Sequence, residues 1–235
     1  MMRYAIHRLD ADPDSPFPDP LKSDHPDGLI AIGGDLSQTR LLNAYRSGIF
    51  PWFEQDGPIL WWCPNPRAVL IPGHVHIPKR LQRTLRQGFF KTTVNQQFEQ
   101  VIQQCATDRG ESGETWITED MLQAYTELNR NGHAHSLEVW RQDQLVGGIY
   151  GVAIGNVFFA ESKFHTERDA SKVALVELMR KLEHDGYVLC DCQLWNPHLE
   201  QFNIRMIDRE DFLRLVRFGC SQKQAFVNDQ QDQQL

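Results

Sequence analysis

Tyr187-Val188-Leu189-Cys190-Asp191-Cys192-Gln193-Leu194-Trp195 is an apolar run that carries a carboxylate and a carboxamide. Gly186 stops the segment before it, so the run is expected to be a buried β-strand entered from a helix. Side chains alternate across a strand, which puts Asp191 and Gln193 on one face and Cys190 and Cys192 on the other. Two such polar groups are costly to bury unless partners satisfy them. They are either hydrogen-bonded to nearby backbone or part of a functional site, where perturbed acids cluster.

Upstream of this run, a helix is expected from about Ala170 to His184, with Val173, Val176, Leu178, Met179 and Leu182 apolar. Before it, Ser136–Trp140, Gln144–Ala153 and Asn156–Ala160 read as three strands. Gly147, Gly148 and Gly151 interrupt the middle one and suggest a bulge or a close backbone approach. Downstream, Asp208 and Asp211 open a last helix that ends near Gly219. Helices mixed with an antiparallel-looking meander point to an α+β fold.

The N-terminal part is punctuated differently. The first 35 residues are rich in turn formers, from Pro13 to Gly34. Ser37 caps a short helix whose apolar side is Leu41, Leu42 and Tyr45, and Gly48 ends it. An aromatic stretch follows: Phe50-Pro51-Trp52-Phe53, then Trp61-Trp62-Cys63-Pro64-Asn65-Pro66-Arg67. Its prolines mark a change of direction and a candidate subdomain boundary. Three more helices are expected: one from Pro78 to Gly88, one capped by Asn95, and one capped by Thr118 with Met121, Tyr125 and Leu128 on its apolar stripe.

At 235 residues and 41% hydrophobic, the chain is long and apolar enough for a substantial core. A net charge of -7 argues against nonspecific coating of nucleic acid but leaves room for a local basic patch. The five cysteines are odd in number, form no C-x-x-C pair, and read as reduced thiols of a cytosolic protein. The N-terminus lacks the apolar core of a signal peptide, and no run is long enough to span a membrane.

Several constellations carry chemistry. Between Lys79 and Lys91 lie five basic residues and no acid. On a helix, Lys79, Arg83 and Arg86 share a face with Arg80 beside them, opposite Leu81 and Leu85. Such a stripe is either a solvated surface or a field that holds phosphates. Trp52, Trp61, Trp62 and Trp116 are core filling or stacking platforms for bases. Glu161 emerges from the apolar run Val157-Phe158-Phe159-Ala160 and suits a cationic ligand. The pairs His74/His76 and His133/His135 lack a third ligand at standard spacing, so no metal site is expected. Neither a P-loop nor a G-x-S-x-G elbow occurs.

Taken in order, Gly33-Gly34-Asp35-Leu36, Gly48-Ile49-Phe50-Pro51-Trp52-Phe53, Trp61 to Arg67, Thr115-Trp116-Ile117-Thr118, Gly132 to Trp140, Val146 to Gly151 and Asp191-Cys192-Gln193 resemble the bacterial leucyl/phenylalanyl-tRNA–protein transferases. The resemblance runs from about residue 16 to residue 213. It implies a cytoplasmic aminoacyltransferase that moves Leu or Phe (Met less well) from aminoacyl-tRNA to the N-terminal Arg or Lys of a protein. The product would be recognised by the ClpS adaptor of the N-degron pathway. It implies a small N-terminal domain over residues 1–66, a larger domain over residues 67–220 resembling the N-acetyltransferase (GNAT-like) fold, and a polar tail over residues 221–235.

By matching motifs, Asp191 and Gln193 are the catalytic pair and Glu161 binds the acceptor peptide. Trp52 and Trp116 stack on the terminal adenosine. Phe158, Leu178 and Ile149 wall the aminoacyl pocket, and Lys79, Arg80, Arg83 and Arg86 contact tRNA phosphates. No cofactor is implied, and a monomer is expected. Asp191 and Gln193 either manage the proton of the attacking amine or only orient it while the tRNA ribose hydroxyl shuttles the proton.

Two segments depart from the family pattern. Ala160-Glu161-Ser162-Lys163-Phe164-His165 stands for a usual Gly-Glu-Ser-Met-Phe-Ser, and Gln201-Phe202-Asn203 for a usual Ser-Leu-Gly. Lys163 places a positive charge close to the acceptor carboxylate. Two other classes share some of these features. An acyl-CoA-dependent N-acetyltransferase would carry a [QR]-x-x-G-x-[GA] loop, which is absent. A noncatalytic peptide or RNA adaptor would not need Asp191 and Gln193 together.

Overall fold

The computed structural model describes residues 6–107, 117–224 and 226. Strands β1 (His7–Leu9), β2 (Leu29–Gly33), β3 (Phe50–Pro51) and β4 (Leu60–Trp62) form a four-stranded sheet in the order β1-β2-β4-β3. Two of these strands fall in the stretch expected to be turns; Leu29-Ile30-Ala31-Ile32 is a short buried strand between turn residues. Helix α1 (Gln38–Arg46) is capped by the Ser37 hydroxyl, which accepts from Arg40 N. Arg40 itself is buried and donates to the carbonyls of Asp10, Asp12 and Ser15, which satisfies that turn-rich segment.

The chain enters a second sheet at β5 (Arg67–Leu70). With β6 (Lys91–Val94), β7 (Ala134–Arg141), β8 (Gln144–Ile154), β9 (Val157–His165), β10 (Leu189–Asp191) and β11 (Arg205–Ile207) it makes seven strands in the order β11-β5-β10-β9-β8-β7-β6. The expected meander is β7-β8-β9. Within this sheet only the β9–β10 pair is parallel, joined by α5 (Ala170–His184). Helix α5 covers one face, with α2 (Lys79–Arg86) leaning on it through buried Leu81. Helices α1, α3 (Phe98–Ala106), α4 (Glu119–Arg130) and α7 (Arg209–Cys220) cover the other face, and one apolar core joins them to the small sheet. A short helix, α6 (Pro197–Glu200), follows β10. No helix among the described residues is long and apolar enough to cross a membrane.

Two local expectations are corrected. Asn95 does not cap α3: it sits at φ 56°, in a turn, and its side chain bonds His135 and the Ser136 amide. The α3 N-terminus instead presents the amides of Gln96 and Gln97 to the buried Glu138 carboxylate, which also accepts from Thr93 and Ser136. The decisive strand is also shorter than expected, ending at Asp191 rather than Trp195.

Gly151 on β8 is required by a close approach. A Cβ there would lie 2.2 Å from the Phe159 carbonyl oxygen and 2.6 Å from Phe158 Cε1. Gly151→Ala is expected to destabilise the fold by about 2 kcal/mol through overpacking. A lowered urea midpoint is the readout; an unchanged midpoint would mean the sheet yields there freely.

Candidate active site

Beyond Asp191, β10 leaves β9. The last paired residues are Asp191 and Phe159, yet β9 continues to His165. Gln193 takes φ 57°, and Leu194 N bonds back to Cys192 O at 2.7 Å, so the chain turns sharply. The two strands therefore part, and a cavity of about 80 Å³ opens between them. Ala160 to Lys163 border it from β9, Cys192, Gln193 and Asn196 from the turn, and Ile149, Leu175 and Leu199 from behind.

A bulge aims Glu161 into this gap. Tyr150 pairs with Ser162 and Gly151 with Ala160, which leaves Glu161 as the extra residue of β9. Before the bulge Val157 and Phe159 belong to the core under α1 and α7; after it Phe164 does, so the side-chain parity has switched. The Glu161 carboxylate accepts from Tyr45 Oη at 2.8 Å, Tyr125 Oη at 3.2 Å and Gln193 Nε2 at 3.3 Å. The two tyrosine hydroxyls also bond each other.

Burial lifts the Glu161 pKa from 4.5 to about 7; the two tyrosine hydrogen bonds oppose the rise and nearby Asp191 adds to it. Burial, with Glu161 adding to it, pushes Tyr45 and Tyr125 well above their ordinary value, so both stay protonated. The triangle of Tyr45, Tyr125 and Glu161 oxygens has three contacts but only two hydroxyl protons. A protonated Glu161 supplies the third proton and satisfies every edge.

Asp191 faces away from the cavity. It and Arg67 are both fully buried, with Nε–Oδ1 2.8 Å and Nη2–Oδ2 2.7 Å. The guanidinium lies between the rings of Phe50, 4.8 Å away, and Phe212, 4.4 Å away. Burial alone would lower the Arg67 pKa; Asp191, with smaller contributions from Cys63 and Glu161, more than offsets it, and the guanidinium stays charged. Asp191 Oδ1 also accepts the Gln193 amide at 3.0 Å. This bond holds Gln193 in its left-handed conformation with its carboxamide beside Glu161.

The structure thus brings Asp191, Gln193 and Glu161 together, but the first touches the cavity only through the second. Of the pocket residues expected from the sequence, Ile149 borders the cavity; Phe158 and Leu178 lie deeper in the same buried layer. Leu175 borders it and was not anticipated. Cys192, expected on the strand face opposite Gln193, borders it too, because the strand has ended before it. Trp52 is 43% exposed, follows the strand that stacks Phe50 on Arg67, and leans on Trp62 at 6.2 Å. Trp116 lies outside the described residues. Lys79, Arg80, Arg83 and Arg86 are exposed along α2, and none forms an ion pair with a described acid. They are not part of the cavity lining.

A family profile described as leucyl/phenylalanyl-tRNA protein transferase matches residues 69–217, and the profile of that family's N-terminal domain matches residues 34–65. The chain belongs to the leucyl/phenylalanyl-tRNA protein transferase family. A relative of that name from Hydrogenovibrio crunogenus is 50% identical over 220 residues, 92% of this chain and 86% of the relative. One from Pseudomonas syringae is 52% identical over 187 residues, 80% and 82% of the two chains. Among solved structures, L-PGS from Bacillus licheniformis aligns over 69% of this chain and 55% of that one, at 11% identity and a TM-score of 0.38.

For this transferase the departures in sequence have local explanations. Asn203 has φ 65°, a conformation that glycine or asparagine adopts, and its side chain bonds His74 O at 3.1 Å. Phe202 is buried in the layer under α5. Lys163 borders the cavity on the strand that carries Glu161. Sequence reading missed Arg67, Tyr45 and Tyr125 as site residues, because arginine beside a proline turn and tyrosine on an apolar stripe carry no signal of their own. The buried acid at Asp191 was the available clue, since a buried charge needs a partner.

Two outcomes follow from these geometries. Arg67→Met leaves Asp191 buried and unpaired and is expected to cost about 3–5 kcal/mol of stability, read from urea unfolding. A loss under 1 kcal/mol would mean that water reaches the carboxylate. Glu161 binds its proton more tightly folded than unfolded, so its stabilising contribution is complete below 4.5 and is lost as pH rises through about 7. The stability difference between wild type and Glu161→Gln should therefore fall across that window. A flat difference would show that Glu161 titrates as an ordinary carboxylate.

Proposed function

We propose that this transferase carries a leucyl or phenylalanyl group from tRNA to the α-amine of a protein that begins with Arg or Lys. The observation that carries the reading is the pair Glu161–Gln193 at the gap between β9 and β10. Methionyl donors would also be accepted, though less well, because an apolar pocket separates neighbouring apolar side chains too poorly to exclude them. The product would enter the N-degron pathway through the ClpS adaptor, in the cytoplasm, and the enzyme would act as a monomer. We also read residues 1–66 as a small domain and residues 67–220 as a GNAT-like one, a reading the helix-covered seven-stranded sheet supports.

The chemistry is an aminolysis. The acceptor nitrogen forms a bond to the ester carbonyl carbon, and the bond from that carbon to the tRNA ribose oxygen breaks. An ammonium terminus loses one proton to solvent before attack and a second as the amide forms, and the second ends on the ribose oxygen. The bond change is downhill, so the protein contributes position and charge. Glu161, once ionised, pairs with the cationic terminus or basic side chain of the acceptor. Gln193 hydrogen-bonds the amine, and Asp191, tied up by Arg67, favours the role of holding Gln193 in place. Trp52 and Trp116 would stack on the terminal adenosine, and Ile149, Phe158 and Leu178 would receive the aminoacyl side chain. The exposed basic face of α2 would hold acceptor-stem phosphates.

Incubation with radiolabelled Leu-tRNA and reporters beginning with Arg, Lys or Asp tests the reaction. Label is expected on the first two only; its absence from both would defeat the reading. Gln193→Ala is expected to lower kcat by about a hundredfold. Replacing Lys79, Arg83 and Arg86 by Ala should raise KM for charged tRNA and make its log–log salt dependence shallower by about two units. An unchanged slope would leave α2 a solvated surface.

A further inference from the structure

The polar C-terminal stretch contains one buried aromatic. Ser221 to Gln224 are exposed, whereas Phe226 is 8% exposed. Its ring stacks on His135 at 4.4 Å and 21°, meets Phe158 at 5.6 Å, and takes Tyr187 edge-on at 6.1 Å. The Lys181 ammonium lies 5.0 Å from its centroid. The platform is preformed: His135 lies on β7, its Nδ1 is bonded to Asn95, and burial lowers its pKa to about 4, so it stacks as a neutral ring. His135, of the His133/His135 pair for which no metal site is expected, thus contributes an aromatic face.

Phe158 has little freedom on its other contacts. It lies over Gly151, where even a Cβ would come within 2.6 Å of its ring. Phe226 joins the same buried layer as Phe158, Leu178 and Ile149. Ile149 in turn borders the cavity beside Glu161 and Gln193. Phe226 is therefore connected to the cavity by contiguous packing, and interiors packed at this density pass on a change of volume.

We infer that Phe226 is a positioning residue for the aminoacyl pocket: packed on Phe158 from behind, it sets the depth of the pocket and so the balance between leucyl and phenylalanyl donors. This rests on reading Phe158 as a pocket wall. A smaller side chain at 226 gives Phe158 room to retreat and favours the larger donor; a larger one pushes it forward and favours leucine. No contact of Phe226 with substrate is required.

The test is kcat/KM for Phe-tRNA and Leu-tRNA in full-length Phe226→Leu, Phe226→Ala, Phe226→Trp and Phe158→Leu, with thermal melting alongside. Phe226→Leu and Phe226→Ala are expected to shift the Phe/Leu ratio upward by about three- to tenfold, and Phe226→Trp to shift it downward. KM for the acceptor should not change. Lower melting temperature with both donors affected in the same proportion would overturn the inference and leave Phe226 a packing residue. If Phe158→Leu moves the ratio while no Phe226 variant does, only this inference falls. If Phe158→Leu leaves the ratio fixed, the pocket reading itself falls, and the route through Phe158 with it.

Discussion

A guanidinium and a carboxylate, both without solvent exposure, join the first residue of β5 to the last residue of β10. A buried pair of this kind is weak evidence for stability, because desolvation cancels most of the attraction. Its value lies in geometry: neither charge tolerates another arrangement, since each would then be stranded. The flanking rings of Phe50 and Phe212 come from the small sheet and from α7, so the pair also sets how those elements meet the large sheet. Because one Asp191 oxygen accepts the Gln193 amide, the pair fixes the turn that ends β10. The gap beside β9, and the cavity in it, are consequences of that turn.

The second constraint is the bulge on β9. Without it, a residue following Ala160 would keep strict alternation, and Phe164 would lose its place in the core. With it, the strand contributes an acid at the gap and still returns an aromatic to the core three residues later. Gly151 opposite the bulge lets the backbones close, so one glycine serves both the sheet and the site. Local irregularity is concentrated here, at the turn of Gln193 and the bulge of Glu161, where the chemistry is proposed to occur.

Much of this was legible from residue patterns. Period-2 runs and glycine stops gave β7, β8 and β9, and the Thr118 and Ser37 caps are where the pattern placed them. The short strands were not legible, because β1, β3 and β11 have too few residues for any periodicity. The end of β10 was misplaced for a physical reason: an apolar sequence through Leu194 and Trp195 favours continuation, and the local bond from the Gln193 amide to Asp191, a carboxylate held by Arg67, overrides it. Both of those residues end up exposed. For the site, Asp191 and Glu161 could be picked out individually, although Glu161, expected where its apolar strand ends at Ala160, sits at a bulge inside a strand that runs on to His165; Arg67 is far from Asp191 in sequence and only the fold reveals the pair. Tyr45 and Tyr125 satisfy an apolar stripe as well as a hydrogen-bonding role, so their hydroxyls were invisible to pattern.

The charge arrangement also explains why a glutamate can sit in this place. Arg67 and Asp191 neutralise each other, so Glu161 meets no net positive field from them, and burial keeps its proton on up to about pH 7. Two tyrosines that remain protonated donate to it or to each other. An incoming ammonium group changes that balance, because an opposite charge within a few ångströms favours the ionised carboxylate. Glu161 would then release its proton as the acceptor binds, and the two tyrosine hydroxyls would both turn to the new anion. In the proposed role, a carboxylate poised near neutrality would recognise a cation without holding an unpaired charge while the site is empty, which a permanently ionised acid in the same surroundings would have to do.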